Sequence, residues 1–116
     1  MKILGIGVDI IENKRIKEAI KNKSFINRVY SVREQRQSNL IKNKVAFFSK
    51  RFAAKEAIAK AIGTGIGKNL SFLDIEITHN DKGAPIVSLK KSKKKVQVTI
   101  SHEKSMAIAF AIAQDE

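Results

Sequence analysis

The sequence predicts an α+β domain in which a small antiparallel sheet packs on one long helix. Three observations lead there. Val45 to Ile62 reads as a helix that is apolar almost all the way round, so most of its surface is buried. Two late segments, 96–100 and 106–113, alternate with a period of two, which is the strand period. Asn80-Asp81-Lys82-Gly83 is a hairpin turn signal between two further alternating runs. Helices and strands in this mixed order suit an antiparallel α+β arrangement. The length, 116 residues, fits a single domain over 1–116.

The elements follow in chain order. Ile3 to Ile10 is a predicted strand with Leu4, Ile6, Val8 and Ile10 on one face and Gly5, Gly7 and Asp9 on the other. Glycine inside a strand marks close approach of a ligand or another backbone, so Asp9 lies on a face with little side-chain bulk. Asn13 to Asn22 is a predicted helix with Ile16 and Ile20 at i, i+4 and Asn13 as its N-cap. Ser31 and Glu34 match a capping box that opens a second short helix. Gly63 stops the long helix. Phe72 to Thr78 is a predicted strand with Leu73, Ile75 and Ile77 inward, and Pro85 to Leu89 is its hairpin partner. Val96, Val98 and Ile100 form another strand. In the last strand Met106, Ile108, Phe110 and Ile112 alternate with four alanines. One of its faces is expected on the long helix. The alanine face is expected to admit close approach, in so small a protein by another subunit.

Composition narrows the partners. The apolar fraction of 43% excludes a disordered chain. No cysteine is present, which excludes disulfides and thiolate metal sites. No apolar run reaches the roughly 18 residues of a membrane span. The N-terminal stretch has no signal-peptide cleavage site and is interrupted by Asp9 and Glu12, so a cytoplasmic protein is expected. The net charge of +12 points to an acidic partner: nucleic acid, a phosphorylated small molecule or an acidic protein. The basic run of Lys90, Lys91, Lys93, Lys94 and Lys95 has no aromatic for base stacking. Its plain reading is a solvated face.

The long helix carries a polar arc of Arg51, Lys55, Glu56 and Lys60 and runs into a loop with Gly63, Gly65 and Gly67. The loop is not a P-loop: only three residues separate Gly63 from Gly67, Asn69 follows Lys68, and a P-loop precedes its helix. A helix C-terminus also repels phosphate. By itself the loop reads as a helix cap. Glu56 and Lys60 stand at i, i+4, where a surface ion pair is the plain reading. Asp9 and Glu56 are alternatively a carboxylate pair of the kind that holds Mg²⁺ with substrate phosphates, if strand and helix meet. His79 and His102 begin as structural or exposed residues. A Ser101–His102 dyad is disfavoured, because neighbours on a strand point to opposite faces.

Three segments taken together resemble the short bacterial phosphopantetheinyl transferases, the holo-acyl-carrier-protein synthases. They are Gly5-Ile6-Gly7-Val8-Asp9-Ile10, then Arg51 to Ala57 with Lys60 and Gly63-Thr64-Gly65-Ile66, then Ile100-Ser101-His102. Phe72 to Ile77 and Lys82-Gly83-Ala84-Pro85 are also similar, so the resemblance covers nearly the whole chain. It implies the 4′-phosphopantetheinyl transferase fold and transfer of 4′-phosphopantetheine from coenzyme A to a serine of acyl carrier protein, for fatty acid biosynthesis. It implies Asp9 and Glu56 as Mg²⁺ ligands, with Glu56 also helping to deprotonate the serine, and Lys60 on the phosphates. Arg15, Arg51, Gly63, Thr64, Gly65 and His102 are implied near coenzyme A or, for Arg15, near the carrier.

The resemblance also implies a homotrimer with active sites at subunit interfaces, and neither nucleic acid nor membrane as partner. Two expectations about space go with it. The Gly5/Gly7 face leaves room for metal and diphosphate beside Asp9, and the alanine-lined faces of helix and last strand pack between subunits. The short basic segment Lys90–Lys95 and the abbreviated Gln35–Lys44 depart from many family members, which bears on carrier docking.

Overall fold

A computed structural model describes residues 2–115. The α+β architecture is as expected, with the strands divided between two antiparallel sheets. β1 (Ile3–Glu12), β5 (Met106–Gln114) and β4 (Lys95–His102) form one sheet in the order β1-β5-β4. β2 (Ile75–His79) and β3 (Pro85–Leu89) form the second. The helices are α1 (Asn13–Ala19), α2 (Lys23–Val29), α3 (Val32–Ser38) and the long α4 (Lys44–Ile62).

Local chemistry sets most boundaries. The Asn43 side chain accepts from the Ala46 N–H at the start of α4, and Gly63 ends it in the left-handed region at φ 104°. Ser31 and Glu34 form the capping box of α3 in both directions. Two boundaries differ from the sequence reading. α1 starts after Glu12 without a side-chain cap, because the Asn13 amide donates instead to the Lys104 carbonyl at 3.0 Å. The helix then ends at Ala19, and Asn22 caps a separate α2 that periodicity did not reveal. Phe72–Asp74 is a 3₁₀ turn, not strand. Asp74 accepts from the Ser71 N–H at 2.9 Å and so favours the turn over extension.

The inner face of the large sheet is made of small residues. Ala107, Ala109, Ala111 and Ala113 are buried, as are Ala53, Ala57 and Ala61 of α4. This corrects the expectation for β5: its alanine face meets the helix, and its large residues face out. β1 approaches α4 more closely still. A β-carbon built on Gly5 would fall on the Ala61 carbonyl oxygen, and one on Gly7 on the Ala57 carbonyl oxygen, 2.8 Å from the Ala61 nitrogen. The space beside these glycines is therefore filled by the helix backbone. No room remains there for metal and diphosphate, contrary to the expectation. The outer face carries Leu4, Ile6, Val8, Ile10, Ile108 and Phe110, all exposed, with Ile6 at 63%.

Lys55 also leaves the polar arc assigned to it. It is fully buried and donates to Glu34 Oε1 at 2.7 Å, the Val29 carbonyl at 2.6 Å and the Phe72 carbonyl at 3.2 Å. Glu34 Oε2 accepts from the Ile77 N–H at 3.0 Å. Burial lowers the Lys55 proton affinity and Glu34 raises it in part. Such a pair is tolerated because nearly every donor and acceptor is matched. It ties α4 to α3 and β2.

Gly7→Ala is expected to lower folding stability by about 1–3 kcal/mol or more, because the added carbon meets backbone that cannot step aside. Urea denaturation measures this, and an unchanged midpoint would contradict the described contact.

Candidate active site

The close contact of β1 and α4 puts Asp9 beside the last turns of the helix. Lys60 Nζ reaches across to Asp9 Oδ1 at 3.2 Å and to the Val8 carbonyl at 3.0 Å. The i, i+4 ion pair of Lys60 with Glu56 is not formed at contact distance among the described residues; Lys60 turns to the strand instead. Glu56 is half-buried, and its proton affinity is raised first by burial and then by the negative charge of Asp9, with Lys60 pulling the other way. Asp9, Glu56 and Lys60 thus share one electrostatic neighbourhood. The Lys60 side chain remains half exposed and keeps a donor for an incoming anion.

The donor set fits Mg²⁺. It offers two carboxylates, and among the described residues no group of three or more His, Cys, Asp or Glu forms a metal cage. Two carboxylates with waters and substrate phosphates are a usual arrangement for Mg²⁺. The upward shift of Glu56 also records a negative-on-negative approach that one lysine does not fully offset; a divalent cation relieves it.

The loop after α4 explains two of its three glycines. Gly63 and Gly65 have φ of 104° and 65°, and both N–H groups donate to the Ala59 carbonyl at 3.1 Å. Side chains rarely adopt that conformation. The Gly67 N–H donates to the Leu70 carbonyl at 2.8 Å, and nothing in the structure requires glycine at 67. Space beside all three is open. The Thr64 hydroxyl donates to the Gly65 carbonyl at 3.0 Å.

The remaining candidates lie elsewhere. Arg51 is buried, with its guanidinium carbon 3.6 Å from the centroid of the Phe47 ring. Its Nη2 contacts Gln37 Oε1 at 3.3 Å and His79 Nδ1 at 3.1 Å. Burial lowers its proton affinity to about 10, so it stays charged at neutral pH. Arg51, Lys50, His79 and His102 line one pocket of 490 Å³ with apolar Leu40 and Phe47. Lys60 follows Arg51 by nine positions, which on a helix is about 180° of rotation and about 14 Å of rise. The two groups therefore occupy opposite faces of α4. Arg15 is exposed on α1. Sequence reasoning missed Gln37 and His79 as partners of Arg51. Phe47 was legible as an i, i+4 neighbour, but the other two come from distant elements and leave no local signal.

The comparisons with known proteins show the family and the fold. The family model of the 4′-phosphopantetheinyl transferase superfamily matches residues 5–113. The chain belongs to that superfamily. Within it, the chain is 48% identical over 126 residues to the holo-[acyl-carrier-protein] synthase of Pelagibacter ubique (strain HTCC1062), covering 98% of each. It is 49% identical over 115 residues to that of Geobacillus sp. (strain WCH70), covering 97% of each. A crystal structure of the Bacillus anthracis str. Ames enzyme in complex with CoA (3′,5′-ADP) superimposes with a TM-score of 0.90 at 40% identity, covering 98% of both chains. The Helicobacter pylori enzyme in complex with coenzyme A gives 0.84 at 38% identity, over 94% of this chain and 99% of that one. The family model thus spans nearly all of the chain. Among the described residues, no helix is long and apolar enough to cross a membrane.

Asp9→Asn in the metal-free protein is expected to lower the titration midpoint of the Glu56 carboxyl, since a charge that raises it is removed. Carboxyl-carbon NMR reads the midpoint. An unchanged value would mean that the two carboxylates do not face each other.

Proposed function

We propose that this protein moves 4′-phosphopantetheine from coenzyme A to a serine of acyl carrier protein in the cytoplasm, with Mg²⁺ held by Asp9 and Glu56. The observation that carries the proposal is the convergence of Asp9, Glu56 and Lys60 where β1 crosses α4. Phosphoryl transfer needs positioning and charge neutralisation more than covalent chemistry. The serine oxygen forms a bond to the phosphorus that bears pantetheine, the diphosphate P–O bond breaks, and adenosine 3′,5′-bisphosphate leaves. Mg²⁺, when bound, neutralises charge on the diphosphate. Glu56, with its raised proton affinity, takes the serine proton directly or through a water. Lys60 donates to the phosphate oxygens on which charge grows. Asp9 keeps Lys60 aimed across the strand. Gly63 and Gly65 border the site with open space in place of side chains that would crowd a nucleotide, and the small Thr64 side chain between them turns to the Gly65 carbonyl. The net charge of +12 steers an acidic carrier toward the enzyme, with exposed Arg15 on the docking side.

The active unit is proposed to be a homotrimer of single-domain subunits. Two observations support this. The outer face of the large sheet exposes a continuous row of Ile, Leu, Val and Phe, which points to a protein interface. Arg51 lies on the face of α4 opposite Lys60, in a pocket that His102 of β4 also lines. A coenzyme A touched by both groups therefore bridges two copies, one supplying Asp9, Glu56 and Lys60 and its neighbour supplying Arg51 and His102.

Intact-mass spectrometry of an apo acyl carrier protein incubated with this protein, coenzyme A and Mg²⁺ is expected to show a gain of one phosphopantetheine, lost with EDTA. No gain across several carriers with folded protein would contradict the proposal. Salt-dependent binding to nucleic acid would then be tested, since the charge alone fits that rival.

A further inference from the structure

Arg51 is an unusual buried cation. Among the described residues no carboxylate pairs with it. Among the described residues its Nε has no hydrogen-bond partner. Its direct contacts are uncharged: the Phe47 ring beneath, and two acceptors that share Nη2, Gln37 Oε1 and His79 Nδ1; the Glu34 carboxylate favours its charge only from beyond contact distance. A guanidinium only donates. Nδ1 of His79 must therefore be the acceptor nitrogen, and the imidazole is neutral with its proton on Nε2.

We propose that neutral His79, with Gln37, is the positioning residue that aims Arg51 at a phosphate of coenzyme A. The proposal rests on the transferase reading above and adds a residue to it. A protonated imidazole donates from both nitrogens. The contact would then set two donors and two like charges against each other, and the Arg51 fork would lose one of its two anchors. The surroundings favour the neutral form. Burial holds the His79 proton affinity below the ordinary histidine range, and the positive charges of Arg51 and then Lys50, both on α4, hold it lower still. His102 of β4 is the other titratable group on the same pocket, while α3 contributes the uncharged Gln37 to the pocket and, behind Arg51, the Glu34 carboxylate. Arg51 thus meets its anion already oriented, without the rotamer cost of ordering a free arginine.

The test is steady-state transfer by the full chain with varied coenzyme A, at neutral and mildly acidic pH, in wild type, His79→Asn and His79→Leu. Asparagine places an oxygen near the position of Nδ1 and does not titrate. His79→Leu is expected to raise KM for coenzyme A about tenfold with kcat little changed, the loss of one hydrogen bond to a charged group. His79→Asn is expected to keep the wild-type KM and to lack the rise in KM that wild type shows on acidification. Gln37→Met is expected to raise KM in the same direction, and it stands in if His79→Leu fails to fold. The ¹⁵N shifts of the His79 ring, read without substrate, are expected to show the Nε2–H tautomer.

An unchanged KM in His79→Leu or, in its place, in Gln37→Met overturns the proposal. So does a His79→Asn enzyme that behaves like His79→Leu or shares the wild-type pH profile, or an Nδ1–H tautomer. A wild type that transfers nothing overturns the transferase reading and this proposal together. A wild type that transfers while these variants leave KM unmoved overturns this proposal alone.

Discussion

The structure depends on one steric constraint: β1 lies against the backbone of α4 where Gly5 and Gly7 have no side chain. The Ala57 and Ala61 carbonyls occupy the places where β-carbons would be. Alanines on β5 and on α4 keep the rest of the layer thin in the same way. So close a crossing lets the side chain of Asp9, two residues beyond Gly7, meet Lys60 from the helix. A thicker layer would separate them. The same thinness has a second consequence. The large apolar residues of β1 and β5 cannot fit inward, so they stand on the outer face, where they are exposed. Site assembly and the apolar outer surface thus share one cause.

The charges on α4 divide among three tasks according to their angle on the helix. Lys55 points into the protein and is consumed by Glu34 and two carbonyls, which locks α4 against α3 and β2. Glu56 and Lys60 point toward β1 and stay near Asp9. Arg51 points the opposite way, into a pocket bounded by α3, β2 and β4. These four polar residues, spread over half of the helical wheel, have different surroundings in the fold. Only Glu56 and Lys60 remain together.

Much of this was legible in the sequence, and what was not has physical reasons. The long helix, its Gly63 stop, the Ser31–Glu34 box and the period-two strands follow from local rules, and the structure has them. The glycines of β1 signalled a close approach correctly, but a sequence does not say whether ligand or backbone arrives; here it is backbone. The inward face of β5 was read open to a neighbouring subunit because alanine suits any close contact. α2 was missed because its apolar residues Phe25, Ile26 and Val29 make too short a run to show a period. The buried state of Lys55 depends on Glu34, which is 21 residues away, and nothing near Lys55 announces it. Asp9 and Glu56 are a candidate carboxylate pair on residue chemistry alone and metal ligands by the family resemblance, but a sequence does not show that they meet; the strand–helix contact puts them in one electrostatic neighbourhood.

The central claim is that this contact makes Asp9 and Glu56 one cation site. The most direct measurement is Mn²⁺ affinity by electron paramagnetic resonance, with coenzyme A present, for wild type, Asp9→Asn, Glu56→Gln and the double variant. A shared ion predicts weaker binding in both single variants and a coupling of about 0.5–3 kcal/mol between them. Additive losses, or a single variant that binds as tightly as wild type, would contradict it.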